Sequence, residues 1–198
     1  MAGAEPPRDP GPRPPLEPAL EALRLRLAGD LGAVLGTVQA LDQLQADWKA
    51  AAERWSVGEV VHHLVLSNRA FARAVRLLVQ HGRHQGLTAV LGSRRSWPRL
   101  RAVADARASG PVANPAPVTP THGLPFDVLR CDLVASHASV TAQLPDLAGL
   151  ELAALHLPHP LGFELNLYQW ADIAGAHERR HLPQIEAITA DPHFPSRA

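Results

Sequence analysis

The sequence predicts an all-α fold: a four-helix bundle with a long crossover loop between helices two and three. Four stretches carry apolar residues at intervals of three and four, the spacing that places them on one face of a helix. No stretch shows the strict alternation of apolar and polar residues that is typical of a half-buried strand. A chain of 198 residues can bury one full core, so we expect a single domain over residues 16–198.

The first 15 residues are expected to form a disordered tail, because they consist mainly of proline, glycine and charged residues. Deleting residues 1–15 should leave the thermal unfolding midpoint unchanged, since they offer almost no apolar surface to bury. Differential scanning calorimetry on the full and shortened chains checks this prediction. A large fall in the midpoint would show instead that the tail packs on the helices.

An apolar stripe predicts helix one, and a capping signal predicts the start of helix two. Helix one is predicted over residues 16–48, with a bend or break near Gly29, because glycine has a low helix propensity. Ser56 followed by Glu59 forms a capping box, in which each side chain bonds the other residue's backbone amide. Helix two is therefore predicted over residues 56–80.

The next stretch is rich in glycine, arginine and then proline, and it predicts the crossover loop, with a short helix at residues 99–108. The arginines of residues 94–107 are interpreted as solvated surface, and attraction of an acidic substrate is the alternative.

Helix three is predicted over residues 126–144. Asn166 is expected to cap helix four, residues 167–190, which Pro183 should kink because proline removes a backbone hydrogen bond.

Composition argues against several classes of partner. Lysine plus arginine equals aspartate plus glutamate, so the chain has no positive field to attract nucleic acid or an anionic membrane. No apolar run approaches the length of a membrane span, and no signal-peptide pattern stands at the start. Cys131 is the only cysteine, which excludes an intrachain disulfide and a Cys-rich zinc site. We expect a cytoplasmic protein.

The eleven histidines are many for this length, and two of them form a metal-binding pattern. His177 and His181 lie one turn apart on the core-facing stripe of helix four, so two neutral imidazoles could bind one ion. The simpler alternative is a pair of core-edge histidines satisfied by hydrogen bonds. His63 on helix two could supply a third imidazole, and three histidines with open positions are typical of a catalytic metal. His62 lies about 100° around the helix from His63.

Two segments carry a family resemblance. Residues 55–64, W-S-V-G-E-V-V-H-H-L, resemble the W-S-x-x-E-x-x-x-H-L signature of the DinB-like (YfiT-like) superfamily. Residues 177–185, H-E-R-R-H-L-P-Q-I, are similar to its H-x-x-x-H-x-x-Q-I signature. The resemblance covers residues 16–190. It implies a DinB/YfiT-like four-helix bundle, often dimeric, with a divalent metal on His63, His177 and His181.

The resemblance also implies a function. Members include thiol-dependent transferases and isomerases, and some are linked to DNA damage or stress. We therefore predict a metal-dependent hydrolase or thiol S-transferase that acts on a small molecule, as a homodimer. Zinc or nickel is the expected metal, with iron, cobalt or manganese as alternatives, and a low-molecular-weight thiol is a candidate cosubstrate. The alternative is a non-catalytic metal-binding module of a stress or DNA-damage response.

A weaker alternative is a zincin peptidase, because His177, Glu178 and His181 match H-E-x-x-H with Glu178 as general base. A metzincin would need a further histidine where Ala187 stands.

Several polar residues are secondary candidates. They are a carboxylate that could cap helix two or orient a ligand, two amides that could line the pocket, and two loop histidines that could sit at its mouth. These are Glu59, Gln184, Asn68, His156 and His159.

Overall fold

The structure is a computed structural model that describes residues 16–88 and 116–197. These residues are mostly helical, which confirms the all-α class in its coarse form. The tail at residues 1–15, the short helix predicted at residues 99–108 and the arginines of residues 94–107 lie outside the described residues.

The described ranges contain five α-helices and one two-stranded sheet. The helices are α1 (Pro18–Val38), α2 (Gln43–Asp47), α3 (Val57–His84), α4 (Phe126–Thr141) and α5 (Leu167–Thr189). The strands are β1 (His156–Pro158) and β2 (Glu164–Asn166). Short 3-10 turns occupy Ala116–Val118 and Leu144–Leu147. In this part of the chain, no helix has the combined length and apolarity that crossing a membrane requires.

The two predicted helix starts are confirmed, because both capping signals act locally. The Ser56 hydroxyl accepts from the Glu59 amide at 3.2 Å, and the Glu59 carboxylate accepts from the Ser56 amide at 2.8 Å. Asn166 and Gln169 form the same reciprocal pair at the start of α5, at 2.9 and 3.0 Å. Each box satisfies amides that a helix N-terminus otherwise leaves without partners.

Helix one was predicted as one element over residues 16–48 with a bend or break near Gly29; the single element and the break at that glycine are both wrong. α1 runs past Gly29 to Val38, and a separate helix, α2, follows. Asp42 starts α2 with its own capping box, accepting from the Gln45 amide at 2.9 Å. Gly29 is exposed while Leu27 and Val34 on either side are fully buried, so packing outweighs the roughly 1 kcal/mol propensity cost of glycine.

No strand was predicted, but residues 156–166 form a small hairpin. β1 and β2 pair antiparallel, with His156 opposite Asn166 and Pro158 opposite Glu164. Strands of three residues are too short to show an alternating pattern. Gly162 turns the chain with a φ of 88°, a left-handed conformation that glycine adopts without steric cost. The hairpin forms one wall of the cavity described below.

Two other predicted helix ends need correction. α3 continues past residue 80 to His84, and α4 ends at Thr141 before the 3-10 turn Leu144–Leu147. Pro183 lies inside α5, which continues to Thr189. The predicted kink at Pro183 stays a prediction.

α3 occupies the centre of the packing. It contacts α4 and α5, while α1 packs on α5. Apolar side chains fill two core clusters, whose fully buried members include Leu27, Val75, Leu64, Leu133 and Ile185. This packing holds the His63 face of α3 against the His177 face of α5.

Candidate metal centre

Three histidines that are distant in sequence meet between α3 and α5. One ligand nitrogen from each of His63, His177 and His181 lies within 4.8 Å of the other two. The ring centroids are 4.9 Å apart for His63 and His177, 4.9 Å for His63 and His181, and 4.6 Å for His177 and His181. The structure thus brings together the three residues that the sequence singled out.

A backbone carbonyl orients His63. Its Nδ1 lies 2.7 Å from the carbonyl oxygen of Val118, at the end of a 3-10 turn. Because a carbonyl can only accept, Nδ1 carries the proton and Nε2 keeps a free lone pair. This outer contact is the kind that fixes the tautomer of a metal-binding histidine.

His181 is oriented by Gln184, one turn later on α5. Its Nδ1 lies 2.8 Å from the Gln184 side-chain oxygen, so Nδ1 donates and Nε2 is again left free. Gln184 also lines the cavity. Its role is therefore to hold a ring as well as to line the pocket.

The third ring, His177, completes the cluster. Its Nε2 lies 3.3 Å from Nε2 of His63. Two nitrogens bound tetrahedrally to one zinc ion at about 2.0–2.1 Å would be roughly 3.3–3.4 Å apart, so this spacing fits a shared ion. Nδ1 of His177 is buried without a hydrogen-bond partner in the described part of the chain. The Phe71 ring packs against the His177 ring, with 5.5 Å between the ring centroids.

The environment keeps the three rings neutral. Burial lowers the pKa of His181 from 6.5 to about 4, against a smaller opposite effect of Gln184. Burial, then the charges of His181, His63 and Arg180, holds the pKa of His177 well below its usual value. Burial also lowers the pKa of His63, opposed by its bond to Val118. Neutral imidazole is the form that binds a metal ion.

These pKa shifts predict acid sensitivity of the metal-free protein. Below pH 6.5 the unfolded chain protonates His181 while the folded chain does not, so the free energy of unfolding falls as the pH falls. Between pH 6.5 and about 4, His181 alone should account for a loss of about 3 kcal/mol. Urea unfolding in a chelator at several pH values measures this loss.

The matched control for this prediction is His181→Asn, which cannot titrate. Its stability should depend less steeply on pH over the same range, while acid groups elsewhere affect both proteins equally. Equal slopes for the two proteins would contradict the buried neutral state of His181.

The three histidines open onto a cavity of about 1000 Å³ between α3, α5 and the hairpin. Its walls are mostly apolar and aromatic. They include Trp55, Phe71, Phe163, Trp170 and Ile173. A concave apolar site with a few convergent polar groups is the usual form of a small-molecule pocket.

His62 and the secondary candidates Glu59 and His159 lie at different places in the structure. His62 accepts from the Thr121 amide at 2.9 Å, away from the cluster. Glu59 caps α3 and pairs with Lys49 at 3.0 Å, so its carboxylate holds the helix start. His159 lines the cavity, stacked on Phe163 at a centroid distance of 4.5 Å.

The remaining two candidates do not reach the cavity wall. His156 is half exposed beside Glu164, at 4.0 Å. Asn68 is buried in the core and donates to Glu178 at 3.2 Å.

Glu178 belongs to a buried polar cluster in the core. Its carboxylate is fully buried and accepts from His137 at 2.8 Å and from Asn68 at 3.2 Å. It is not part of the histidine cluster. A zincin needs this glutamate beside the metal ion as general base. Glu178 lies in the core instead, so the arrangement argues against the peptidase alternative.

Sequence reasoning missed three components of this region. Val118 acts through its carbonyl, which no side-chain pattern can reveal. Arg180, between the two histidines of α5, faces the cavity. His137 was detectable, because it lies one turn from both Leu133 and Val140 on the apolar stripe of α4.

Comparison with known proteins gives one family and one relative. The family model described as the DinB superfamily matches residues 26–185. The relative is an uncharacterized protein, YuaE, of Bacillus subtilis (strain 168), which is 26% identical over 152 residues. That alignment covers 76% of this chain and 87% of the relative. No solved structure matches the chain significantly.

Proposed function

The chain belongs to the DinB superfamily, and on this premise we propose that it is a metal-dependent enzyme, a hydrolase or thiol S-transferase, that acts on a small molecule. His63, His177 and His181 are the proposed ligands of one divalent metal ion. The observation that carries the proposal is the convergence of three neutral imidazoles at a large cavity. A structural histidine cluster would not require such a cavity.

The proposal includes the architecture of the family. α1, α3, α4 and α5 would form the four helices of a DinB-like bundle, and residues 85–125 would form the crossover. The packing of α3 on α4 and α5, and of α1 on α5, supports this assignment.

A divalent cation held here would supply Lewis acidity, lowering the pKa of a water molecule or thiol so that it attacks as an anion at neutral pH. The chain's own residues prepare this site. Val118 and Gln184 fix the tautomers of His63 and His181, so that both Nε2 lone pairs stay available. The apolar walls limit water around the reacting groups, which strengthens electrostatic interactions there.

Other parts of the proposal rest on family resemblance. They are a low-molecular-weight thiol as cosubstrate, a homodimer, and zinc or nickel as the metal. Three imidazoles suit several first-row divalent metals, and elemental analysis identifies the ion. A non-catalytic stress-response module would also use the histidines, but no feature of the described residues favours it over an enzyme.

The test is elemental analysis of the purified full chain, followed by an activity screen. Thiol transfer to electrophiles and hydrolysis of activated esters and amides would be assayed in metal-loaded and chelated protein. We expect about one metal ion per chain and an activity that chelation abolishes and metal restores. Absence of bound metal after loading, or activity that survives chelation, would overturn the proposal.

A further inference from the structure

Arg180 is a partly buried cation beside the candidate metal centre. It follows His177 by three residues on α5 and directly precedes His181. Its side chain lines the same cavity as both histidines. Its positive charge also reaches all three rings, since it contributes to lowering each of their pKa values.

Arg180 has no carboxylate partner in the described ranges, in contrast to Arg179 and Arg26. The adjacent Arg179 pairs with Asp30, and Arg26 pairs with Asp172 at 3.1 Å. No described acid forms an ion pair with Arg180. A partly buried guanidinium without an acid partner is a recognition site for a planar anion.

The charges around the cavity leave an excess of one cation. Arg54 and Arg73 also line it and form no ion pair with a described acid. Two acids line it as well, Glu53 and Asp191. The Asp191 carboxylate is already engaged, because it accepts from the His193 amide at 2.8 Å. One excess positive charge suits a singly charged ligand better than a phosphate dianion.

The rest of the cavity suits an apolar ligand body. Trp55, Phe71 and Trp170 are among its lining residues, and the hairpin adds Leu157 and Phe163. Burying an aryl or alkyl group against such walls is favourable, because it removes apolar surface from water. A cavity of about 1000 Å³ accommodates such a group together with the metal-bound partner of a reaction.

We propose that the cavity binds an amphipathic organic acid, with its carboxylate on Arg180 and its aryl or alkyl body against the aromatic walls. The inference rests on the proposed function in taking this cavity as the substrate pocket. The inference goes beyond the proposed function because it names Arg180, rather than the metal ion, as the group that binds the carboxylate of the ligand.

A pair of ligands of equal shape tests the proposal. 2-Naphthoate and its neutral amide, 2-naphthamide, would be titrated into the full chain, as purified and after chelation, with tryptophan fluorescence and calorimetry as readouts. Chelation matters because a carboxylate could otherwise bind the metal ion. We expect 2-naphthoate to bind at least about tenfold more tightly than 2-naphthamide, with or without metal, a difference of about 1.4 kcal/mol.

Two arginine variants test whether Arg180 causes the preference for 2-naphthoate over 2-naphthamide. Arg180→Gln should abolish the preference for 2-naphthoate while leaving the affinity for 2-naphthamide and the metal content unchanged. Arg76→Gln, which changes an exposed arginine of α3 outside the cavity, should keep the preference. Equal affinities in the wild type, a preference that survives Arg180→Gln, or no binding of either ligand would overturn the proposal. Tighter binding of 2-naphthoate than of 2-naphthamide by the chelated protein would support this inference even if the protein had no metal-dependent activity. Failure of this inference and failure of the proposed function can therefore be told apart.

Discussion

Replacing His177 by alanine should remove most of the bound divalent metal and lower the metal affinity more than about 100-fold, beyond the usual effect of removing an outer-shell partner. The reason is that two remaining imidazoles cannot complete a three-ligand site. His63→Ala and His181→Ala should act alike, because their Nε2 atoms share the same cluster. Elemental analysis of dialysed protein, with competition against a metal-sensitive dye, measures the loss.

His62→Ala is the matched control, because it changes an adjacent histidine whose ring faces Thr121. It should keep the metal. Loss of the metal from this variant, with retention in His63→Ala, would mean that the wrong histidine of α3 was assigned. Retention of the metal in all three cluster variants would mean that no site joins α3 and α5.

Chelation of the wild type extends this prediction to stability. A metal ion bound at the proposed site and present at about 1000 times its dissociation constant would stabilise the folded state by about 4 kcal/mol, because it would link two helices and bind the unfolded chain poorly. Its removal should lower the thermal midpoint by roughly 10 °C for a chain of this size. Scanning fluorimetry with and without chelator measures the change, and His177→Ala should show almost none.

The second large effect should come from the buried cluster of His137, Glu178 and Asn68. His137→Ala leaves the fully buried Glu178 carboxyl group with Asn68 as its only described partner. Removing one member of a buried acid–base pair typically costs about 3–5 kcal/mol, because the other loses its compensation. Urea denaturation should show a loss of this size, while His84→Ala, at an exposed position, should change stability by less than about 0.5 kcal/mol.

Two further variants separate the causes of this loss. Replacing His137 and Glu178 together by leucine, and Asn68 by alanine so that its amide is not left without an acceptor, should recover part of the stability, since an apolar group often matches a buried polar one. Glu178→Gln should keep the metal content, because this side chain bonds His137 and Asn68 and is not part of the histidine cluster. Stability of His137→Ala within about 1 kcal/mol of the wild type would contradict the structural role of the cluster.

The amino-acid sequence determined the features that depend on neighbours within one turn of helix. Ser56 with Glu59, and Asn166 with Gln169, fixed two helix starts because a capping box closes over three residues. The four-residue spacing of His177 and His181 placed both on one face of α5 for the same reason. His63 was found through its motif, since periodicity alone did not separate it from His62.

Tertiary structure decided everything that depends on residues far apart in the chain. The helix ends before residues 39–42 rather than near Gly29, because buried residues on either side of that glycine hold α1 in one continuous helix. The hairpin has strands too short to leave a periodic signal. The Val118 carbonyl reaches His63 across 55 residues, and Glu178 turned from a possible base into a core group only through contacts with α3 and α4. Such contacts depend on how helices pack, and a local pattern contains no information about which backbone or side chain will stand opposite.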